Sequence, residues 1–364
     1  MAVGGGSSPR RVDAGARGGS AMAIVGAFDV HRAQLTYDYV STETGEVRLG
    51  RIRPADRERL RTWLTRFESE KEVAFAVEAC TGWRYVVDEL KRAGCEVHLA
   101  EPADLSRDRG PKQRAKTDAA DARHLRELLQ QNRVPESWIP PAEVLEGRAL
   151  VRLYKDLMEE RVGWAERIRA TLFHQGVPSL GSVLNASGRA LLPGVELSPA
   201  GHRAVEVGLR QIERLNAEIK VLGKEVRERA QAEPACRALV EAHYGVGPIL
   251  AFAIWAEMGD PRRFSSSSDA VRYAGLDITV YSSDGKRSRG HLSRQGPPLL
   301  RWALHEAAVH ASRLSSPDHA YYEAVKASHQ GDAQIAILSV ARKLARRCYH
   351  TLRELDPEAW PAAA

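Results

Sequence analysis

Cysteine is scarce in this sequence: Cys80, Cys95, Cys236 and Cys348 are the only four in 364 residues. No CxxC pair and no zinc-type spacing joins them. They exclude a disulfide framework and read as reduced thiols, mostly in the core, of a cytosolic protein. The histidines are scattered too. His31, His98, His124, His291 and His305 form no HxxxH or His-plus-Cys set and read as packing or surface residues. No run approaches the roughly 18–20 apolar residues of a membrane span, so a soluble protein without membrane partners is expected. The N-terminus lacks the continuous apolar stretch of a signal peptide, which predicts a cytoplasmic location. No internal repeat recurs at a fixed period.

What is present is an ordinary globular balance, with 43% hydrophobic and 27% charged residues. The length suits two or three domains of about 100–200 residues each. A formal charge of +6 and a pI near 9.2 fit a polyanionic partner. Residues 1–21, rich in Gly, Ser and Arg, predict a disordered tail. That stretch reads either as a floppy start, with Met22 a second candidate initiator, or as a nucleic-acid-binding tail.

From Ala23 the pattern is strand-like: IVGAFDVH, AQLTYDYVS and GEVRLGRI predict two or three strands joined as a meander. Leu60, Trp63, Leu64 and Phe67 then share one helical face. EVAFAVEAC and CEVHLAEP read as buried strands around the helix GWRYVVDELKRAG, which Gly94 closes. The stretch from Asp104 to Arg114 reads as a polar loop, and TDAADARHLRELLQQN as a helix. Pro135, Pro140 and Pro141 mark a boundary, so residues 22–140 form an α/β domain with crossover connections. Residues 141–234 are helical, with Leu209, Ile212, Leu215, Ile219 and Leu222 on a stripe suited to a hairpin or coiled coil. That stripe either packs within the chain or mediates dimerisation. Residues 235–364 predict a mainly helical C-terminal domain.

Four carboxylates carry chemistry. Asp29 ends the first apolar strand and Glu78 a later one, and Asp118 and Asp121 share one face of a helix's opening turn. Together they offer hard oxygen ligands for Mg2+, which needs one or two carboxylates per ion. Two such ions roughly 3.5–4 Å apart can clamp the attacking and leaving oxygens of a phosphodiester. A structural ion pair for Asp29 and Glu78, and dipole stabilisation by Asp118 and Asp121 with Thr117 as N-cap, are the other readings.

A second cluster lies near the C-terminus. In YSSDGKRSRGHLSRQG, Ser282 and Ser283 precede a predicted turn at Asp284-Gly285, and Lys286, Arg287, Arg289, Arg294 and Arg301 crowd around it. A hydroxyl beside such cations suits phosphoryl transfer; a Ser-rich hairpin with a solvated basic face is the structural alternative. Gly245 and Gly247, in HYGVGP, resemble a helix-hairpin-helix turn whose amides approach a phosphate, or else an ordinary interhelical turn. The run Ser265–Ser268 reads as a loop and cap before a helix starting near Asp269.

GAFDVH, VEACTGW and KTDAADARHL, in that order, are similar to the motifs of the DEDD transposases of bacterial insertion sequences. The stretch from GVGPILAF to PLLRWAL resembles that family's second domain. The resemblance implies a RuvC-like (RNase H-like) N-terminal domain with Asp29, Glu78, Asp118 and Asp121 as Mg2+ ligands. It further implies a nucleophilic serine, Ser282 or Ser283 with Ser282 preferred, that cuts and rejoins DNA at element ends and targets. Asp284 stands where relatives often carry glycine. A structured guide RNA, a homodimer assembling to a tetramer and association with the nucleoid when active are implied by the resemblance alone. Two other functions compete: a RuvC-like metal-dependent nuclease that hydrolyses with water, and a structural nucleic-acid-binding protein.

Overall fold

The computed structural model describes residues 23–108, 117–177, 185–278, 282–283, 286–287, 292–356 and 360. The expected tail at 1–21, the Asp284-Gly285 turn and Arg289 lie outside the described residues. The chain divides between Ile139 and Pro140 into two compact units.

Strands β1 (Ile24–Val30), β2 (Leu35–Ser41) and β3 (Val47–Ile52) form the meander, followed by helix α1 (Arg57–Leu64). Then come β4 (Val73–Glu78), α2 (Trp83–Arg92), β5 (Glu96–Ala100), α3 (Pro102–Asp108) and α4 (Asp118–Gln130). The sheet order is β3-β2-β1-β4-β5, antiparallel within the meander and parallel from β1 through β4 to β5. Period-2 alternation gives the sheet two faces. Phe28, Val30, Leu35, Tyr39, Phe75 and Val77 point toward Leu60, Trp63 and Phe67 and toward Val86 and Leu90 of α2. The Phe28 ring centroid lies 5.1 Å from that of Phe75 and 5.3 Å from that of Trp63. The opposite face is small: Val25, Ala27, Ala74 and Ala76 meet Leu125, Leu128 and Leu129 of α4. Short methyl groups there let α4 seat closely on β1, β2 and β4.

One expectation needs correction. The stretch from Asp104 to Arg114 reads as a polar loop, yet Pro102–Asp108 is helical, and residues 109–114 lie outside the described residues. Pro102 suits a first helical turn, where a missing N–H costs nothing, and Leu105 is buried in the α4-side core. Polar composition hid that single anchor.

In the second unit α5 (Ala142–His174) is followed by the short α6 (Ala186–Ala190) and by α7 (Pro199–Ala232). Gly208 lies against Ile168, and Gly223 against Tyr154, so α5 and α7 run antiparallel as a hairpin. Ile212 and Leu215 of the α7 stripe are buried. Helices α8 (Pro234–Ala242), α9 (Pro248–Met258) and α10 (Ser267–Tyr273) follow. After them come the two-residue strands β6 (Ser282–Ser283) and β7 (Lys286–Arg287), then α11 (Pro298–Val309), α12 (His319–Ser328) and α13 (Ala333–Arg353). Helix α9 is apolar on all sides and buried from Ala251 to Met258, packing with α5, α7, α8 and α11. Its one acidic residue, Glu257, is fully buried and accepts from Arg152 Nε at 2.7 Å and Nη2 at 2.9 Å. Ser266 caps α10, as the serine run predicts. All four cysteines are free, and no helix among the described residues is long and apolar enough to cross a membrane.

Glu89 ties α2 to α1. Its carboxylate is buried and accepts from Arg57 at 2.7 Å, Arg61 at 2.5 Å and Arg92 at 2.6 Å. Burial pushes its pKa up, but the three arginine hydrogen bonds outweigh that and hold it at about 2. Because the folded value lies below the unfolded one, this stabilisation is present above the unfolded carboxylate pKa, near 4.3. It is lost as pH falls from there toward 2. Urea unfolding from pH 7 to pH 2 should show that loss, and Glu89→Gln should flatten it. The variant should be less stable at pH 7 by about 2 kcal/mol, discounted for the half-exposed arginines.

Candidate functional site

Strand parity selects the face on which Asp29 stands. Phe28 of β1 pairs with Val77 of β4, both on the aromatic face, so Asp29 and Glu78, each one residue further, turn to the α4 face. Asp29 is 9% exposed, Glu78 half-buried. Across β2, Asp29 pairs with Thr36, and Ala27 with Asp38. Asp38 and Arg126 of α4 make a buried ion pair, with Arg126 Nε donating to Asp38 Oδ1 at 2.5 Å. That bond fixes α4 over the strand pair carrying Asp29. Thr117 caps the helix by accepting from the Ala120 amide, which holds Asp118 and Asp121 in its first turn.

The four acidic residues converge. Burial raises the Asp29 carboxyl from 3.8 to about 6, His31 opposes the rise, and Asp118, Asp121 and Glu78 add to it. A buried carboxylate facing three others holds its charge at a cost that a cation relieves. Asp29 Oδ2 and the Thr36 hydroxyl are both buried without a hydrogen-bond partner. Orphaned buried oxygens beside clustered carboxylates fit a divalent cation. Asp29, His31 and Asp118 each offer a ligand atom, and these atoms lie within 4.8 Å of one another.

His31, expected as a packing or surface residue, is exposed and also stands among the acids. Nε2 lies 3.3 Å from Asp29 Oδ2 and 3.5 Å from Asp118 Oδ1. The first is not a hydrogen bond, since Asp29 Oδ2 has no donor of suitable geometry. Gln34 Nε2 donates to Asp118 Oδ2 at 2.8 Å, and Arg53 Nε to Gln34 Oε1 at 2.8 Å. The signal for His31 was its place two residues past Asp29, hence on the same side of the chain. Gln34 gave no such signal.

The serine cluster belongs to the other unit. Ser282 pairs with Arg287 and Ser283 with Lys286, so the two short strands form a hairpin arm. Its base is fixed by the Ile278–Leu292 bridge and by Ser293 N–H donating to the Asp277 carbonyl at 3.0 Å. Arg294 is exposed with φ of 51°, while Arg301 donates to the Ala274 carbonyl at 3.2 Å. Burial and then the Arg294 charge depress the Arg301 pKa. Gly245 sits in the α8–α9 turn at φ +84°, where an added Cβ would stand 2.5 Å from the Ala307 carbonyl oxygen. The turn thus demands glycine for its packing on α11. Gly247 is the N-cap residue of α9, with open space where its Cβ would be.

Two family models match this chain, one over each cluster. A family model described as transposase matches residues 27–174, which hold all four acids. Another, described as transposase IS116/IS110/IS902 family, matches residues 237–323, which hold Ser282, Ser283 and the glycine turn. The protein named as transposase y4pF/y4sB of Sinorhizobium fredii is 27% identical over 290 residues, 77% of this chain and 73% of that one. The protein named as transposase y4rJ, from the same organism, is 30% identical over 242 residues, 60% of each chain. The transposase for insertion sequence element IS1328 of Yersinia enterocolitica is 25% identical over 283 residues, 74% of this chain and 81% of that one. By these matches the chain is similar to transposases over residues 27–174 and 237–323.

Removing charge from the acidic cluster has a predictable cost and benefit. With divalent ions chelated, Asp29→Asn should raise the melting temperature by about 3 °C, corresponding to about 1 kcal/mol, because one of four crowded carboxylates is gone. A differential scanning calorimetry trace showing destabilisation instead would mean that Asp29 holds the strand ends together through contacts of its own.

Proposed function

We propose that this chain cuts and rejoins DNA, using Mg2+ held by Asp29, Glu78, Asp118 and Asp121 together with a serine nucleophile, Ser282 or Ser283. The observation that carries the reading is the convergence of three carboxylates on buried Asp29, with its Oδ2 left without a hydrogen-bond donor. The sheet order, three antiparallel strands continued by two parallel ones, supports a RuvC-like (RNase H-like) first unit.

A bound divalent ion would supply Lewis-acid polarisation of the phosphodiester. Gln34, fixed by Arg53, orients the Asp118 carboxylate. The second unit contributes the hydroxyl. Serine Oγ forms a bond to phosphorus and gives up its proton, while the phosphorus–sugar oxygen bond breaks and the departing oxygen takes up a proton. One phosphate ester is exchanged for another, so reversal rejoins the strand without an outside energy source. Lys286, Arg287, Arg289, Arg294 and Arg301 bind the phosphate and offset its developing charge. Gly245 and Gly247, in the turn before α9, approach the DNA backbone. A structured guide RNA and a dimer pairing into a tetramer follow from the family resemblance.

A denaturing gel tests the proposal. Purified protein is incubated with Mg2+, the RNA of its element and supercoiled DNA bearing the element ends. A covalent protein–DNA adduct is expected, lost in Ser282→Ala and in Asp29→Asn. If Ser283→Ala alone removes it, Ser283 is the nucleophile. Cleavage without an adduct would identify a nuclease that hydrolyses with water, and full activity in Asp29→Asn would make the acidic cluster structural.

A further inference from the structure

We propose that His31 is a nitrogen donor in the same cation site, which makes that site a mixed nitrogen–oxygen one. Such a site favours transition-metal ions over Mg2+ more than four carboxylates would. The inference rests on the reading of Asp29 and Asp118 as cation ligands.

Three observations converge on His31. Its Nε2 lies 3.3 Å from Asp29 Oδ2 and 3.5 Å from Asp118 Oδ1. Two metal–ligand bonds of about 2.1 Å reach across at most about 4.2 Å, so both separations fit donors sharing one ion. Next, the facing oxygens are available. Asp29 Oδ2 has no hydrogen-bond donor although its residue is nine-tenths buried. Asp118 divides its oxygens: Oδ2 accepts from Gln34, and Oδ1 faces His31. The Gln34 amide cannot serve the other way round, because Arg53 occupies its Oε1. Lastly, His31 is anchored. Its backbone N–H donates to the Gln34 carbonyl at 3.0 Å and closes the β1–β2 turn, so one hairpin carries both the imidazole and the amide that orients Asp118.

Chemistry then sets the preference. Mg2+ takes oxygen ligands and keeps its waters, whereas transition ions accept imidazole readily, with affinity rising from Mn2+ through Fe2+ to Co2+. An added nitrogen therefore strengthens Mn2+ binding while doing little for Mg2+.

The test uses the full-length protein and Mn2+ as probe, read by electron paramagnetic resonance with electron spin-echo detection of nitrogen coupling. Wild type should show 14N coupling to bound Mn2+, replaced by 15N coupling when histidine is 15N-labelled. His31→Gln, which substitutes an amide at a half-exposed turn, should lose the coupling. Competition with Mg2+ should show the Mn2+-to-Mg2+ affinity ratio falling by about tenfold in that variant. Bound Mn2+ without nitrogen coupling in wild type, or an unchanged ratio in His31→Gln, would overturn the proposal and leave His31 a counter-charge; the carboxylate reading would survive. Asp29→Asn separates the two: if it binds Mn2+ as tightly as wild type, the carboxylate reading fails and the His31 proposal with it.

Discussion

The bond between Arg126 and Asp38 holds the first unit's chemistry in place. Both partners are buried, one on α4 and one on β2, so neither is stable there without the other. The contact fixes the rotation of α4 about its axis as well as its position. With Arg126 turned down onto the sheet, the opening turn of the same helix brings Asp118 and Asp121 toward Asp29. Leucines at 125, 128 and 129 supply most of the apolar burial, but hydrophobic contact is not directional. The ion pair adds the direction.

An arrangement that concentrates negative charge needs opposing interactions nearby. Here they come from the hairpin between β1 and β2, which lays His31 beside two of the acids and Gln34, braced by Arg53, on one of them. Stability elsewhere is more conventional, with the aromatic cluster under Phe28 on one sheet face and α9 wrapped by its neighbours in the second unit. The site is thus a local departure from good packing, supported by a frame that departs little.

Much of that frame was readable in the sequence. Strand-like runs located the sheet, with the meander legible as two or three strands where three form, and the caps at Thr117 and Ser266 and the left-handed Gly94 after α2 stand where their residue types put them. Asp29 and Glu78 stand out because carboxylates at the ends of apolar strands are hard to explain otherwise, and Asp118 and Asp121 because their three-residue spacing puts both on one face of a helix's opening turn. Sequence patterns failed where geometry depends on distant partners. Strands followed by helices predict crossover connections, but no local pattern shows which strands become neighbours, such as β1 beside β4, and α3 is marked only by Pro102 and Leu105. His31 and Gln34 acquire their contacts only once the hairpin closes and α4 docks, so their identities alone pointed nowhere. The α7 stripe had two possible partners by pattern; Ile212 and Leu215 are buried in the unit where α7 packs on α5.

The small residues beneath α4 have a consequence of their own. Ala27, Ala74 and Ala76 set the thickness of the layer between sheet and helix. Asp29 and Glu78 belong to the lower surface of that layer, Asp118 and Asp121 to the upper. A bulkier side chain at any of these alanines would raise the helix and widen the gap, because close-packed interiors do not absorb an extra methylene without moving. The methyl groups therefore act as a gauge block: the gap between the two carboxylate pairs is encoded in side chains that carry no polar atom.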